Sequence, residues 1–155
     1  MARTLALDIG NRRIGVAVSD TTRSIARPLE VIDRHRQNAL QRIVELVRQW
    51  QPDDIVVGYP LNADGSVGAQ ALKVERFVQL VRVNVECPVV YFDERYSSSE
   101  AQDIMGAKRR KDRQQHDDAI AAAVILQRYL DEVQHPLSEQ HATEPNILAS
   151  DESRM

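Results

Sequence analysis

Leu5, Leu7 and Ile9 alternate with Ala6, Asp8 and Gly10, a period of two that predicts a strand over about residues 3–10. Asn11 to Arg13 then reads as a turn and Ile14 to Ser19 as a second strand, so the chain opens with a hairpin. Ile25 to Ile32 is a third strand, and Pro28 within it points to a sheet edge. The period then changes. Leu40, Ile43, Val44, Val47 and Trp50 fall on one helical face. Asp54 to Tyr59 has a continuous apolar centre, the signature of a strand covered on both faces. Val74, Phe77, Val78, Val81 and Val85 predict a second helix, and Pro88 to Asp93 a fifth strand. Ser97 to Glu100 carries a capping signal for a short helix ending near Gly106. Lys108 to Gln115 reads as a polar, basic connection. A last helix follows from Asp117, with Ala122, Ile125, Leu126, Tyr129, Leu130 and Val133 facing inward.

The order β-β-β-α-β-α-β-α-α predicts an α/β fold in which one mixed five-stranded sheet carries helices on both faces. In such sheets, sites form beyond the carboxyl ends of the strands. Three groups of acids can meet there: Asp8 on strand one, Asp93-Glu94 after the run Val89 to Phe92, and Asp117-Asp118 at the start of the last helix. Asp is depleted in strands and costly to bury alone, so a cation is expected near Asp8. Carboxylates from three distant segments suggest a divalent-metal site, and with it phosphate chemistry. Each acid also has a plainer reading. Asp8 could pair with Arg13 across the hairpin. Asp93-Glu94 could be a strand-end turn. Asp117 and Asp118 could be the cap and first-turn acids of the last helix. No Ser, His or Cys arrangement resembles a catalytic triad, and His116 is a helix-flanking residue that could assist proton transfer.

Composition narrows the classes. The 155 residues suit one domain over residues 1–134, ending in a disordered acidic tail over 135–155. The formal charge of −3 is concentrated towards the C-terminal end: residues 131–155 hold six acids and one Arg, which leaves residues 1–130 at +2. An acidic total therefore does not argue against a nucleic-acid partner. The basic run Lys108, Arg109, Arg110, Lys111 and Arg113 could hold a phosphate backbone, with Arg12, Arg13, Arg34 and Arg36 extending the surface. Aromatic residues are few and dispersed, which predicts recognition by shape and backbone rather than base stacking. The loop Asn62 to Gly68, with its Asp64-Gly65 turn signal, is either a flexible turn or a backbone surface for nucleic acid. Cys87 is the only cysteine, which excludes an internal disulfide and a cysteine-based zinc cluster; it reads as apolar filler. With no apolar run long enough to span a bilayer and no signal peptide, a cytoplasmic protein is expected.

Four segments together resemble the YqgF/RuvX family. They are Leu7 to Asp20 (LDIGNRRIGVAVSD), Val57 to Ser66 (VGYPLNADGS), Asp93 to Ser98 (DERYSS) and Asp118 to Leu126 (DAIAAAVIL). The likeness spans about residues 4–133 and leaves out only the tail. It implies a ribonuclease-H-like fold related to Holliday-junction resolvases, and a nuclease assigned to 5′-end maturation of pre-16S ribosomal RNA. By motif position, Asp8, Glu94 and Asp118 would be catalytic acids that hold Mg²⁺ or Mn²⁺. Where the family has an apolar residue before the third acid, this chain has His116-Asp117, so Asp117 stands as the alternative third ligand. The expected partner is structured pre-ribosomal RNA or branched DNA, bound by a monomer or weak homodimer. A non-catalytic nucleic-acid-binding module is the competing class. An actin-like ATPase, which also opens with Asp-x-Gly and a hairpin, would need more than 155 residues, and the chain lacks a P-loop.

Overall fold

The computed structural model describes residues 2–93 and 110–134, with the side chains of the final helix described from 118 to 133. Strands β1 (Thr4–Ile9), β2 (Arg13–Ser19) and β3 (Ala26–Asp33) come first. Helix α1 (Ala39–Trp50), strand β4 (Asp54–Tyr59), helix α2 (Ala69–Asn84), strand β5 (Val89–Asp93) and helix α3 (Arg110–Gln134) follow. They build one five-stranded sheet in the order β3-β2-β1-β4-β5. β1 is antiparallel to β2, and β2 to β3, while β4 runs parallel to β1 and β5 parallel to β4. The carboxyl ends of β1, β4 and β5 therefore lie along one side of the molecule. A 2.9 Å bond from the Gly10 N–H to the Arg13 carbonyl closes the β1–β2 turn.

This is the mixed sheet that the sequence predicts, and its elements follow from local rules. β4 occupies the predicted Asp54–Tyr59 span, with its four central residues buried. β3 is an edge strand, as Pro28 requires. Pro28 pairs with Ala17 beside an irregularity of register between Val16 and Ala17. Asn38 caps α1 by accepting from the Gln41 N–H, and Gln51 ends it in a left-handed conformation (φ 48°).

The two faces of the sheet differ in bulk. Leu5, Leu7, Ile9, Val16, Val18, Ile55 and Val57 point one way, where they pack against Ile43 and Leu46 of α1 and Val74, Phe77, Val78 and Val81 of α2. Their neighbours Ala6, Ala17 and Val56 point the other way, and α3 lies over them through Ala122, Ile125, Leu126 and Leu130. Small residues there let one helix approach closely.

Two expectations about α3 are corrected. Its backbone is helical from Arg110, so Arg110 to Gln115 is helix rather than a connection. Lys, Arg and Gln are good helix formers even where no apolar period marks the helix. Val133, predicted to face inward, is exposed (49 %). One turn earlier Gln127 and Tyr129 bond Ala26 and Asp54, which begin β3 and β4, so the next turn passes beyond the sheet. The predicted helix over Ser97 to Gly106 and the tail over 135–155 lie outside the described residues.

The loop Asn62 to Gly68 is tied by its own hydrogen bonds rather than being a loose turn. The Asn62 N–H donates to the Ser66 carbonyl (2.9 Å), and Asp64 accepts from the Ser66 N–H (2.9 Å). Gly65 takes φ 89°, a conformation that L side chains rarely adopt. Cys87 is the expected filler, packed at the margin of the larger core.

Candidate active site

Asp8 sits next to last in β1 and pairs in register with Gly15 of β2. Directly opposed residues of an antiparallel pair point to the same face. Asp8 and Gly15 therefore share the α3 face with Ala6 and Ala17. A Cβ on Gly15 would stand 1.9 Å from the Asp118 carbonyl oxygen and 3.1 Å from the Ala119 nitrogen. The backbone of α3 thus rests on the α-carbon of Gly15, and only glycine permits it. Asp8 and Asp118, 110 positions apart, are brought together by that one missing methyl group.

The Arg13 Nε lies 3.2 Å from Asp118 Oδ2, and both side chains are partly exposed. Hairpin geometry offers Arg13 to Asp8, and the structure pairs it with the acid of α3. The plainer reading of Asp118 as a cap or first-turn acid falls. α3 begins at Arg110, so Asp118 is two turns into the helix, beyond the first turn where the dipole acts. The backbone of Asp117 lies in the same helix.

The remaining candidates divide. Asp93 ends β5 and pairs with Tyr59 at the end of β4, on the same side of the molecule as the end of β1. Glu94, Lys108 and Arg109 lie outside the described residues. Arg110, Lys111 and Arg113 are in the opening turns of α3 by backbone, and their side chains are not among those described. Arg12 lies on the hairpin turn, 56 % exposed, 3.7 Å from Asp33. The Asp33 carboxyl is held below its ordinary range, chiefly by the His35 backbone N–H and further by Arg12, His35 and Arg36. Among the described residues no three His, Cys, Asp or Glu side chains form a metal-binding group.

The opposite end of the sheet is organised differently. Asp54 at the start of β4 accepts from the Thr4 hydroxyl (2.7 Å), the Tyr129 hydroxyl (2.8 Å) and the Arg23 guanidinium (3.3 Å). Burial, and then the bond to Asp54, push the Tyr129 phenol up to about 12. This network ties α3 to β1 and β4, a structural task.

Gly15 is the residue that sequence reasoning missed. A glycine inside a strand is a recognised sign of a close backbone approach, so the signal was present.

The RuvX family model, described as Holliday junction resolvase, matches residues 2–132. A protein of Roseiflexus sp. named "Putative pre-16S rRNA nuclease" is 42% identical over 132 residues, covering 83% of this chain and 94% of its own. One of Bordetella pertussis with the same name is 41% identical, covering 85% and 96%. Among solved structures, the Thermus thermophilus RuvC in complex with Holliday junction substrate superposes with a TM-score of 0.55 at 18% identity, covering 88% of this chain and 98% of that one. The fowlpox virus Holliday junction resolvase gives 0.52 at 14% identity, covering 84% and 99%. The two structures establish the shared fold. The family match and the relatives above 40% identity establish the lineage: this chain belongs to the RuvX family.

Proposed function

We propose that this protein is a divalent-metal-dependent nuclease that hydrolyses phosphodiester bonds in 5′-end processing of pre-16S ribosomal RNA. Asp8, Glu94 and Asp118 are its catalytic carboxylates, with Asp117 the alternative to Asp118. The observation that carries the reading is the seating of Asp118 on Gly15 beside Asp8, at the carboxyl end of β1. Two acids drawn to one place repel each other; Arg13 supplies one compensating charge at Asp118, and a divalent cation would supply more. Phe92 of β5 packs in the α3-side core, and Glu94 follows it by two positions in the sequence. An all-oxygen donor set suits a hard cation, so these acids would hold Mg²⁺ or Mn²⁺. Such ions, when bound, neutralise charge on the phosphate and activate a water.

The chain's own residues have definable tasks. Gly15 sets the separation of the two acids. Arg13 holds one oxygen of Asp118 and, being partly exposed, remains within reach of a substrate phosphate. Arg12 on the turn, with Lys108, Arg109, Arg110, Lys111 and Arg113, would hold the flanking backbone and raise encounter rates. No helix among the described residues is long and apolar enough to cross a membrane, consistent with a ribosomal RNA substrate in the cytoplasm.

A second reading, cleavage of branched DNA, is favoured by the family description and by the RuvC neighbour. The relatives above 40% identity carry the ribosomal RNA name, which puts RNA first. The test is cleavage of a pre-16S 5′-leader RNA and a four-way DNA junction, with Mg²⁺ or Mn²⁺, by wild type and Asp8→Asn. Cutting of the RNA that Asp8→Asn abolishes is the expected result. Cutting of the junction alone would establish the resolvase reading, and binding without cutting would establish a non-catalytic module. Equal cutting by Asp8→Asn would overturn the carboxylate mechanism.

A further inference from the structure

Behind the acids, on the opposite face of the sheet, the end of β1 borders a cavity of about 380 Å³ between the hairpin turn and α2. Three cations line it, Arg34, Lys73 and Arg76, with Asn11 and Gln70 beside them and no carboxylate among the lining residues. Arg34 is held in place: its Nη1 donates to the Gly10 carbonyl (2.7 Å), and its guanidinium stacks 4.9 Å from the centre of the Phe77 ring. That bond uses one of five N–H donors. Lys73 and Arg76 lie one turn apart on α2, and among the described residues neither is in an ion pair. Glu75, the acid between them in sequence, receives the Tyr59 hydroxyl. Three like charges converging on a concave surface repel one another, and an anion there relieves the repulsion.

We propose that this cavity is a second phosphate-binding subsite, which takes backbone phosphates of the nucleic acid whose scissile bond lies at Asp8 and Asp118. The proposal rests on the nuclease reading for its ligand. Asp8 and Ile9 are successive residues of β1 and point to opposite faces, so the acids and the cavity are separated only by the Gly10 to Arg13 turn. A polymer engaged at both must fold over that turn. An RNA in which a single-stranded leader departs from a stem can do so, and a straight duplex cannot. The subsite therefore selects a bent or branched substrate without reading its bases.

The test is binding of a fluorescent stem-and-leader RNA in EDTA across a KCl titration, for wild type, K73E/R76E, the milder K73Q/R76Q, and D8N. Both α2 substitutions are at exposed positions, and thermal melting of each variant checks the fold. The charge-reversed variant is expected to bind about tenfold more weakly, with its salt slope reduced by about 2, one for each cation withdrawn from phosphate. K73Q/R76Q should show a smaller loss of affinity in the same direction, and D8N, which withdraws no cation from phosphate, should keep the wild-type salt slope. Unchanged affinity and slope in both α2 variants would overturn the subsite and leave the acid mechanism standing. Equal cleavage by D8N and wild type, with weakened binding by K73E/R76E, would overturn the acid mechanism and leave the subsite standing. A thermal shift of the wild type by millimolar AMP that K73E/R76E abolishes, with RNA binding unchanged, would identify the cavity as a nucleotide site and overturn its assignment to the polymer. Failure of wild type to bind RNA or junction DNA would overturn both.

Discussion

The two faces of this sheet are built to opposite specifications. Among the described residues, one is filled with Leu5, Leu7, Ile9, Val16 and Val18 and covered by two helices; the other presents Ala6, Asp8, Gly15 and Ala17 to one. Bulk on the first face supplies most of the apolar burial that holds the fold. Scarcity of bulk on the second trades some of that burial for closeness, which brings a helix backbone into contact with a strand and two carboxylates to one place. Under the proposed carboxylate mechanism, stability and chemistry are drawn from alternate residues of the same two strands.

The contrast can be tested where it is sharpest. Gly15→Val places side-chain carbon where the Asp118 carbonyl now lies, so strand and helix backbones must be forced apart. The expected loss is about 4 kcal/mol of stability, together with nuclease activity, read by thermal melting and a cleavage assay. The next pair separates the faces. Leu7→Ala empties the thick side and should cost about 3 kcal/mol while activity per folded molecule persists. Ala17→Leu overfills the thin side, should cost about 2 kcal/mol, and should lower activity by lifting α3. Activity that falls equally in both would dissolve the distinction between the faces.

The smallest effect concerns the far end of the thin face. Because folding raises the Tyr129 phenol from 10.0 to about 12, its contribution is fully present below pH 10 and is lost as pH climbs toward 12. Tyr129→Phe should therefore show a shallower fall in the urea midpoint between pH 8 and pH 11 than wild type does. Tyr59, raised by its bond to Glu75 to about 12, keeps part of that fall in place. Coincident profiles would show that the Tyr129–Asp54 bond does not help to seat α3.

How much could be read from the chain follows the same division. β4 was legible to the residue, because an unbroken apolar run between polar ends has one interpretation. The hairpin and the two amphipathic helices of the thick face were legible because their periods are carried by large side chains. The start of α3 was hidden, since Arg110 to Gln115 offers propensity without period. The ion pair of Arg13 with Asp118 was hidden, because hairpin logic sees only the neighbouring strand and Asp118 arrives from 105 residues away. The cavity of Arg34, Lys73 and Arg76 was hidden for a similar reason. The sequence pattern marks Arg34 alone, and only α2 folding back over the sheet supplies the other two cations.

Helix α3 touches both ends of the sheet, at Gly15 through Asp118 and at Asp54 through Tyr129. The eleven residue steps from Asp118 to Tyr129 span about 16 Å of nearly incompressible rod. The helix is therefore a ruler, and its zero mark lies at the wrong end for anyone looking only at the acids. A change under Tyr129 slides the whole scale, and Asp118 moves by the same amount. Random mutagenesis scored on cleavage should return hits around Thr4, Arg23 and Asp54, residues that meet no substrate and carry no charge to the reaction, because they decide where the far end of the rod comes to rest.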